Sequence, residues 1–355
     1  MATIRDVARD SGVSIATVSR VFNHSPLVSG GTRERVLAAA ERLGYWPNGI
    51  ARSLITNRTH AVGVLLPELH GEFFSELIHG IDVAARAQGL HLLVSRATST
   101  AAELGAALRS MRGRVDALIV MAPDPDASVA LRDCAGQVPA VLLNTADPQP
   151  ECDTLSVANF DGAYGIVRHL IRLGHRDIAT LTGPGHNIDA RQRREGYRAA
   201  LRDAGLSVDP LLEFAGDFTE PSGYAAAARV MARDPRPTAL FVANDHMVIG
   251  VLGALGDAGM RVPDDLAIAG FDDIPMARYL TPPLTTVHVD LFRMGQRAME
   301  LLLETRRGGP AVGGRHEVLP TTLVVRGSCG AHAPENGEPS AWQRHRAVAA
   351  TATRS

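Results

Sequence analysis

Arg20 has the residue type and the spacing of a side chain that reads a base edge in DNA. It lies four residues after Ala16 in the segment SGVSIATVSRVFN, so the two share one ridge of a short helix, beside Ile15. A guanidinium can donate two hydrogen bonds to O6 and N7 of guanine, and small apolar groups fit against a thymine methyl. Ile15, Ala16 and Arg20 are therefore predicted to contact bases from the N-terminal part of this helix.

Short polar side chains flank this segment and suit a second kind of contact, with DNA phosphates. Hydroxyl and amide groups bind phosphate oxygens and position a protein without reading sequence. The residues predicted for this role are Thr3, Ser14, Thr17, Ser19, Asn23, Ser29 and Thr32. The same residue types cap helices, so a solvated three-helix module without DNA contacts is the alternative interpretation.

Three short helices must hold these side chains, and the sequence predicts them. Thr3 and Asp6 can form a capping box, Gly12 supplies a tight turn, and Ser14 can cap a second helix. The apolar residues predicted to face inward are Ile4, Val7, Ala8, Val18, Val21, Phe22, Val36, Leu37, Ala40 and Leu43. This order of elements predicts a helix-turn-helix head over residues 1–46.

Residues 47–60 are predicted to form a linker that contains a marginal hinge helix. Pro47 ends the preceding element, Asn48 can cap a helix, and GIARSLIT is long enough for one or two turns. Such a helix needs a partner, because helix nucleation is costly. Leu54 is either a plain linker leucine or an apolar wedge for a DNA minor groove, where Asn48 and Ala51 would also lie.

The distribution of charge favours a polyanionic partner for the head. The first sixty residues carry eight arginines and four acidic residues, whereas the whole chain of 355 residues has a formal charge of −2. Lysine is absent, so all the basic side chains other than histidine are guanidinium groups, which can make bidentate contacts. The N-terminus lacks an apolar signal region and no segment is long enough to span a membrane, so we expect a cytoplasmic protein with no membrane partner.

Residues 61–329 alternate apolar strands with amphipathic helices, which is typical of doubly wound parallel sheets of the α/β class. Ligands bind beyond the carboxyl ends of the strands in such sheets. Polar residues follow apolar runs there: Asn144, then Asn244 with Asp245, then Asp272 with Asp273. These residues are predicted to border a ligand cleft, with helix capping as the alternative, above all for Asp245 and Asp273.

Sequence signatures of enzymes are missing from the same region. The chain has no G-x-G-x-x-G after its first strand, no Walker loop, no G-x-S-x-G elbow and no lysine for Schiff-base chemistry. His169, His175 and His186 lack the spacing of metal ligands, and the three cysteines are unpaired in sequence. We therefore expect no enzyme activity, no cofactor and no metal.

A family resemblance is carried by two N-terminal segments, TIRDVARDSGVSIATVSRVFN and VSGGTRERVLAAAERLGYWPNGIARSL. They resemble the head and hinge of the LacI/GalR family of bacterial transcription regulators. The resemblance continues over residues 2–328, through LGHRDIATLTGP, ARQRREGY, ALFVANDHMVIGVLGAL, VPDDLAIAGFDDIPMARYLTPPLTTV and LPTTLVVRGS. It implies a homodimer on a near-palindromic operator in double-stranded DNA, with Ile15, Ala16 and Arg20 reading bases and Leu54 intercalating in the central minor groove.

For the body, the resemblance implies two lobes of periplasmic-binding-protein type with a small-molecule effector between them. The N-lobe would span about residues 61–159 and 289–318, and the C-lobe about 160–288 and 319–329. A disordered tail at 330–355 lacks the apolar heptads from which tetramers are built, so a dimer is expected. The candidate effector residues are Phe73, Phe74, Asn144, Arg193, Phe218, Asn244 and Asp272, with Arg191 as the alternative to Arg193 and a core role as the alternative for Phe218.

This chemistry suits a sugar or sugar derivative, because a carboxylate and an arginine can grip neighbouring hydroxyls while an aromatic face covers the ring. Two positions depart from the family pattern: Gly71-Glu72 replaces the usual Asn-Pro, and Asn144 stands where many sugar-responsive members carry an acid. The predicted function is a ligand-responsive repressor of carbohydrate uptake or catabolism genes. The alternatives are a response to a nucleoside, purine or other non-sugar metabolite, a solute-binding receptor, and a constitutive architectural DNA protein.

Overall fold

A computed structural model describes residues 2–22, 25–46, 58–96, 100–127, 130–131, 138–145, 152–306 and 314–331. Within it the chain divides into two compact units, Met1–Thr59 and His60–Ser355. The predicted hinge residues Asn48, Ala51 and Leu54 lie outside the described residues, as does Asn23.

Three helices form the first unit: α1 (Ile4–Ser11), α2 (Ile15–Phe22) and α3 (Gly30–Arg42). Their shared interior consists of Val7, Ala8, Val18, Val21, Val36, Ala39 and Ala40. Gly12 joins the first two helices with a φ of 67°, a left-handed conformation that glycine adopts without a side-chain clash. The predicted helix-turn-helix arrangement is confirmed.

Two predictions for the interior of α3 are wrong. Leu37 is 46% exposed and Leu43 is 37% exposed, whereas Ala39 is fully buried. Ala39 and Ala40 come three and four residues after Val36 and lie on the same face of the helix. Leu37 is rotated by about 100° from Val36. The small side chain at 39, and not the larger one at 37, therefore completes the core.

The second unit contains two parallel sheets and the helices that cover them. Its elements in chain order are β1 (Ala61–Leu66), α4 (Glu72–Arg86), β2 (His91–Arg96), α5 (Ala101–Met111), β3 (Ala117–Met121), β4 (Ala140–Leu143), β5 (Asp153–Val157), α6 (Asn159–Arg172), β6 (Ile178–Thr182), α7 (Ile188–Asp203), β7 (Glu213–Ala215), α8 (Glu220–Met231), β8 (Ala239–Val242), α9 (Asp245–Asp257), β9 (Ala267–Ala269), β10 (Thr286–His288), α10 (Leu291–Arg306), β11 (His316–Leu319) and β12 (Thr322–Val324).

The first sheet has the strand order β11-β5-β4-β3-β1-β2, and all of its pairs are parallel. β3 is buried along its whole length, as expected for a central strand covered on both faces. α4 packs closely on α10 because Gly80 has no side chain; a Cβ there would lie 2.0 Å from the carbonyl oxygen of Phe292. This sheet and its helices form one lobe of the unit.

The second sheet has the order β7-β6-β8-β9, again with parallel pairs, and it carries α6 to α9. The chain passes between the two sheets after β5, after β10 and after β11, and the antiparallel pair β10-β12 lies at these crossings. The predicted pair of doubly wound sheets is therefore confirmed. Among the described helices, none combines the length and the apolar character needed to cross a bilayer.

Candidate functional site

The outer face of α2 presents the three residues predicted to read bases. Ile15, Ala16 and Arg20 are all exposed, while Val18 and Val21 on the other side of the helix are buried. Ile15 is 45% exposed, so nearly half of the surface of this branched apolar residue is open to solvent. The three side chains are free to meet a partner together, and base contact by them stays a prediction.

Two of the residues predicted to contact phosphates stand at the starts of helices. The Ser14 hydroxyl accepts a hydrogen bond from the Thr17 N–H at 3.1 Å and lies 2.9 Å from the Thr17 hydroxyl, so it caps α2 as predicted. Ser29 precedes α3 and its hydroxyl donates to Thr32 Oγ1 at 3.0 Å. Helix N-termini also attract phosphate oxygens, so capping and phosphate contact are compatible at these positions.

Thr3 forms the predicted capping interaction with Asp6 at the start of α1. The backbone N–H and the hydroxyl of Thr3 both donate to Asp6 Oδ2, at 3.0 and 2.7 Å. These hydrogen bonds from Thr3 hold the pKa of the Asp6 carboxyl below its ordinary value. Thr3 is exposed on the same unit, and its contact with phosphate remains a prediction.

A cavity of about 340 Å³ lies in the second unit, at the carboxyl ends of the strands of both sheets. Residues that follow β1 and β3 line one side of it, and residues that follow β6, β7, β8 and β9 line the other. Six predicted effector residues are among its lining residues: Phe73, Phe74, Arg193, Phe218, Asn244 and Asp272. Arg191, the alternative to Arg193, is exposed and does not line the cavity.

The Arg193 guanidinium is buried and fixed by several partners. Its Nε donates to Asn159 Oδ1 at 2.8 Å, and its Nη1 donates to the Ala243 carbonyl oxygen at 2.6 Å. The same Nη1 lies 3.0 Å from Asp272 Oδ1, and the cation stands 3.8 Å from the centre of the Phe271 ring. Arg193 is 3% exposed, so its orientation is set before any ligand arrives.

Asp272 holds its carboxylate at the cavity through a strained backbone. Its φ of 108° is in a region that residues with a side chain rarely adopt. Burial raises the pKa of its carboxyl to about 6, and the nearby Arg193 guanidinium opposes that rise. The pairing with Arg193 therefore compensates only part of the cost of burying this acid.

Asn244 combines a place in the cavity lining with the cap of α9. Its Oδ1 accepts from the Met247 N–H at 3.0 Å, and its Nδ2 donates to the Phe218 carbonyl oxygen at 3.0 Å. Asp245, for which helix capping was the alternative to a place at the cleft, neither caps α9 nor lines the cavity. Asp245 is fully buried and accepts hydrogen bonds from Thr286 Oγ1 at 2.8 Å and the Ile274 N–H at 3.1 Å, and burial raises its pKa.

Asp273 does not cap a helix either. Its carboxylate pairs with His288 Nδ1 at 3.1 Å and with Arg326 Nη2 at 2.7 Å. His288 belongs to β10 and Arg326 follows β12, so Asp273 ties the end of the second sheet to the strands at the crossings. This acid is a structural residue next to a cavity residue.

Asn144 is buried and lies behind the cavity wall. Its Nδ2 donates to Asp189 Oδ2 at 3.0 Å, and Asp189 itself lines the cavity. Asn159 Nδ2 donates to Asp189 Oδ1 at 2.9 Å, and burial raises the pKa of the Asp189 carboxyl to about 6. The carboxylate that is absent at position 144 is thus supplied by Asp189, which belongs to α7 of the other lobe.

The aromatic residues form two walls of the cavity. The Phe73 and Phe74 rings meet edge to face with centroids 5.1 Å apart, at the start of α4. Phe218 has a φ of 72°, and its ring lies where a Cβ on Gly183 would come within 2.3 Å. The tip of the Phe218 ring therefore occupies the space that a side chain at position 183 would need.

Gly71, one of the two departures from the family pattern, is explained by a close contact. Its φ is 92°, and a Cβ at this position would lie 2.7 Å from the His246 ring. His246 belongs to α9 of the other lobe and lines the cavity, and burial lowers the pKa of its imidazole. Glycine thus allows the two lobes to approach each other beside the cavity.

Other contacts connect the lobes around the cavity. The Ile188 N–H donates to the Pro123 carbonyl oxygen at 2.9 Å, and the Met276 N–H donates to Glu72 Oε2 at 3.0 Å. His186 Nε2 lies 3.6 Å from Asp124 Oδ2. In the described ranges, no group of three or more histidine, cysteine or acidic side chains is arranged to hold a metal ion.

Asp189 was missed in the sequence although a signal for it exists. It lies four residues before Arg193 in NIDARQRREGY, so both side chains lie on one face of α7. Acidic residues are common in the first turn of a helix because they interact favourably with the helix dipole. Nothing else in the sequence distinguished Asp189 from such a residue. Asp189 could have been identified from its position four residues before Arg193, which was predicted to bind the effector.

Comparisons with known proteins agree with both units. The model "Bacterial regulatory proteins, lacI family" matches residues 3–48, and the model "Periplasmic binding protein-like domain" matches residues 167–329. The HTH-type transcriptional repressor PurR of Haemophilus influenzae (strain PittEE) is 36% identical over 305 residues, which cover 86% of this chain and 91% of that protein.

Solved structures are also similar along most of the chain. A lac repressor dimer bound to operator and the anti-inducer ONPF has a TM-score of 0.83 at 34% identity, covering 93% of this chain and 99% of that chain. A complex of the transcriptional regulator CelR with cellobiose has a TM-score of 0.70 at 33% identity, covering 92% and 100%.

Proposed function

This chain belongs to the LacI family of bacterial regulatory proteins and is a DNA-binding transcriptional repressor, and we propose which residues read its operator and which ligand class controls it. The observation that carries the proposal is the cavity lined from both sheets, with Arg193 held rigidly at its centre. Proteins of this kind bind operator DNA as dimers and respond to small-molecule effectors. No catalytic role is proposed.

Ile15, Ala16 and Arg20 read base edges in the major groove of each half-site. Their common exposure on α2 supports this role, because the buried Val18 and Val21 fix which side of the helix faces outward. Ser14 and Ser29, at the starts of α2 and α3, place helix N-termini against phosphates. A symmetric pair of heads requires a near-palindromic operator.

The effector is a polar molecule without negative charge, with a sugar or sugar derivative as the first candidate. Six acidic side chains line the cavity: Glu68, Asp124, Asp189, Asp217, Glu220 and Asp272. Arg193 is the single arginine among the lining residues, and Asp272 already neutralises it. An anionic ligand would therefore be repelled, whereas hydroxyl groups would find acceptors and the Phe73, Phe74 and Phe218 rings would cover apolar ring faces.

A purine is the second candidate and is favoured by the PurR relatives. The two aromatic walls would hold a flat heterocycle as readily as a pyranose ring. The carboxylates of Asp189 and Asp272 would then accept from ring or exocyclic N–H groups. Both candidates use the same residues, so they differ in the ligand and not in the site.

Ligand binding reaches the DNA-binding unit through the start of β1. The His60 N–H donates to Asp116 Oδ2 at 3.1 Å, and Arg306 Nη2 at the end of α10 lies 3.4 Å from the same oxygen. A change in the relative rotation of the lobes would move Asp116 and the start of β1, which Asp116 holds through the His60 N–H. Hinge pairing across the dimer axis would gain or lose support accordingly, and a coupling of about 100-fold needs only about 2.7 kcal/mol.

A binding experiment tests the function directly. Full-length protein is used to select palindromic duplexes from a random library, and the selected duplex is then titrated with and without sugars, nucleosides and purine bases. We expect a specific complex whose affinity changes by at least about tenfold with one compound. Failure to select any palindrome would contradict the DNA-binding role, and an unchanged affinity with every compound would contradict the proposed ligand classes.

A further inference from the structure

Asp189 is a buried acid at the cavity without a cation of its own. It is 9% exposed and lines the cavity. Across the part of the chain that the structure describes, no arginine or histidine nitrogen pairs with its carboxylate within 4.0 Å. Its two oxygens instead accept one hydrogen bond each from the amides of Asn144 and Asn159. Buried carboxylates are normally paired with a cation, so this one has an incomplete set of partners.

The nearby arginine is already engaged with other groups. Arg193 Nε donates to Asn159 Oδ1, so the Asn159 amide stands between the guanidinium and Asp189. The remaining printed contacts of that guanidinium are with Asp272 and the Ala243 carbonyl oxygen. Arg193 therefore pairs with Asp272 directly. Asp189 is linked to it through the Asn159 amide and feels the guanidinium only as a longer-range attraction, which opposes the rise that burial causes in the pKa of its carboxyl.

A second buried acceptor lies on the other side of Asp189. Asn144 is 2% exposed, and its Nδ2 must face Asp189 because a flipped amide would place two oxygens together. Its Oδ1 is buried and has no donor among the described residues. Asp189 and Asn144 together thus leave acceptor capacity in excess of the donors that the protein supplies.

Several of the other acids of the cavity have an ionic or hydrogen-bonding partner in the protein. Asp272 pairs with Arg193, and Asp124 lies 3.6 Å from the His186 imidazole. The Asp217 carboxylate accepts from the backbone N–H and the hydroxyl of Thr219 at its exposed loop. Of the two buried acids in the described lining, Asp189 and Asp272, it is Asp189 that has no cation among the described residues within 4.0 Å, so a donor on a ligand would supply a charge-assisted hydrogen bond, roughly twice as strong as a neutral one.

We propose that Asp189 selects the effector, and that the effector is a small neutral or cationic compound whose amino or amidine group donates to the Asp189 carboxylate. The inference rests on the proposed function, since it concerns the ligand of the same cavity. It narrows the two candidates to their aminated members, an amino sugar or an aminopurine. A ligand with only an oxygen acceptor at that point would face the carboxylate and be rejected.

Matched pairs of compounds test this with the unaltered full-length protein. Each pair differs in one amino group: D-glucosamine and D-glucose, D-galactosamine and D-galactose, adenine and hypoxanthine, guanine and xanthine. Binding is measured at neutral pH by thermal shift and then by calorimetric titration. In at least one pair we expect the aminated compound to bind at least about tenfold more tightly than its partner, and the pair identifies a sugar or a purine source.

The Asp189→Asn variant tests whether this residue causes the preference. The amide keeps the shape but removes the charge, and we expect the preference to fall to within about threefold. Asp273→Asn is the control, because that acid pairs with His288 and Arg326 and does not line the cavity. It should keep the preference for the aminated compound.

Three outcomes would overturn the inference: equal or tighter binding of the unaminated partner, an unchanged preference in Asp189→Asn, or no binding of any aminated compound at millimolar concentration. The pairwise comparison needs no variant, so it holds even if Asp189→Asn fails to fold. Operator selection separates this result from the proposed function. A protein that binds a palindrome and prefers unaminated ligands contradicts the inference alone, while one that prefers amines and binds no palindrome contradicts the DNA-binding role alone.

Discussion

The side-chain amide of Asn144 donates a hydrogen bond to the carboxylate of Asp189 at 3.0 Å, and this bond joins the two lobes of the core. Asn144 follows β4 of the first sheet, and Asp189 lies in the first turn of α7, which belongs to the second. Both residues are buried beside the ligand cavity. If Asp189 binds the effector as proposed, the state of one carboxylate affects both ligand binding and the contact between the lobes.

We predict that replacing Asp189 by Asn changes how stability depends on pH. Burial raises the pKa of this carboxyl from 3.8 to about 6, so the folded protein holds the proton more tightly than the unfolded chain. Its contribution to stability is complete below about pH 4 and is lost as the pH rises through 6. The stability of Asp189→Asn relative to the unaltered protein should thus increase between pH 4.5 and 7.5, by at most about 3 kcal/mol.

Denaturant unfolding across that pH range measures this difference. Other groups titrate in the same window, notably Asp272 with its raised pKa and His246 with its lowered pKa, but both proteins contain them. Taking the difference between the two free energies of unfolding removes most of their effect. Parallel curves for the two proteins would contradict the raised pKa of Asp189.

Arg20→Ala should relax the discrimination between bases at one position of each half-site. A bidentate arginine contact with guanine is worth about 1 to 3 kcal/mol of discrimination. Affinities are measured for the selected palindrome and for duplexes with each base substituted in turn. Arg9→Ala is the control, because Arg9 is exposed on α1 beside Asp6 and is not predicted to read bases. An equal loss of affinity on all sequences would mean that Arg20 contacts only phosphate.

Two substitutions at Ser14 should separate helix capping from phosphate contact. Aspartate caps as well as serine, so Ser14→Asp should keep α2 stable, whereas Ser14→Ala should cost about 1 kcal/mol. Hydrogen exchange of the α2 amides in the full chain measures this. A negative charge near a phosphate should weaken operator binding of Ser14→Asp at least about tenfold. Operator binding equal to that of the unaltered protein would remove Ser14 from the DNA contacts.

Asp272→Asn should abolish the ligand response and leave operator binding in place. The substitution leaves the buried Arg193 without its carboxylate partner, so we also expect a loss of about 3 kcal/mol of stability. The compound found by thermal shift with the unaltered protein is the probe for the response. Asp273→Asn is the control: this neighbour pairs with His288 and Arg326 and does not line the cavity. A retained response in Asp272→Asn would exclude Asp272 from ligand binding.

The sequence predicted the fold well because apolar runs mark the buried strands. Seven strands, β1, β2, β3, β4, β6, β8 and β9, lie in the runs AVGVLLP, LHLLVSRA, ALIVMAP, AVLLNT, DIATLTG, ALFVAND and LAIAGFDD, which predict strands. The three-residue β7 and β10 were not predicted, because EFA and TVH contain polar or charged residues and lie in no uninterrupted apolar run. β5 was missed because DTLSV mixes polar with apolar residues, and its Asp153 is buried through contacts with Arg315, far along the chain.

The cavity could be predicted in part. The resemblance placed Arg193 and Phe218 there, and the polar residues after strands placed Asn244 and Asp272 there. Local rules failed where tertiary contacts decide the role of a side chain. For Asp273 the alternatives were a place at the cleft and a helix cap, yet it pairs with groups 15 and 53 residues further along the chain.

The left-handed backbone at Phe218 and Asp272 has a consequence for how this protein can adapt to heat. Conformations of this kind cost about 1 to 3 kcal/mol each when a side chain is present, and glycine would relieve much of that strain. At Asp272 this relief is offset by the loss of the carboxylate that pairs with Arg193, and at Phe218 by the loss of a ring that packs on the core of the second sheet, so selection for thermal tolerance should not recruit glycine at either position. Descendants that live at higher temperature must gain stability elsewhere in the chain.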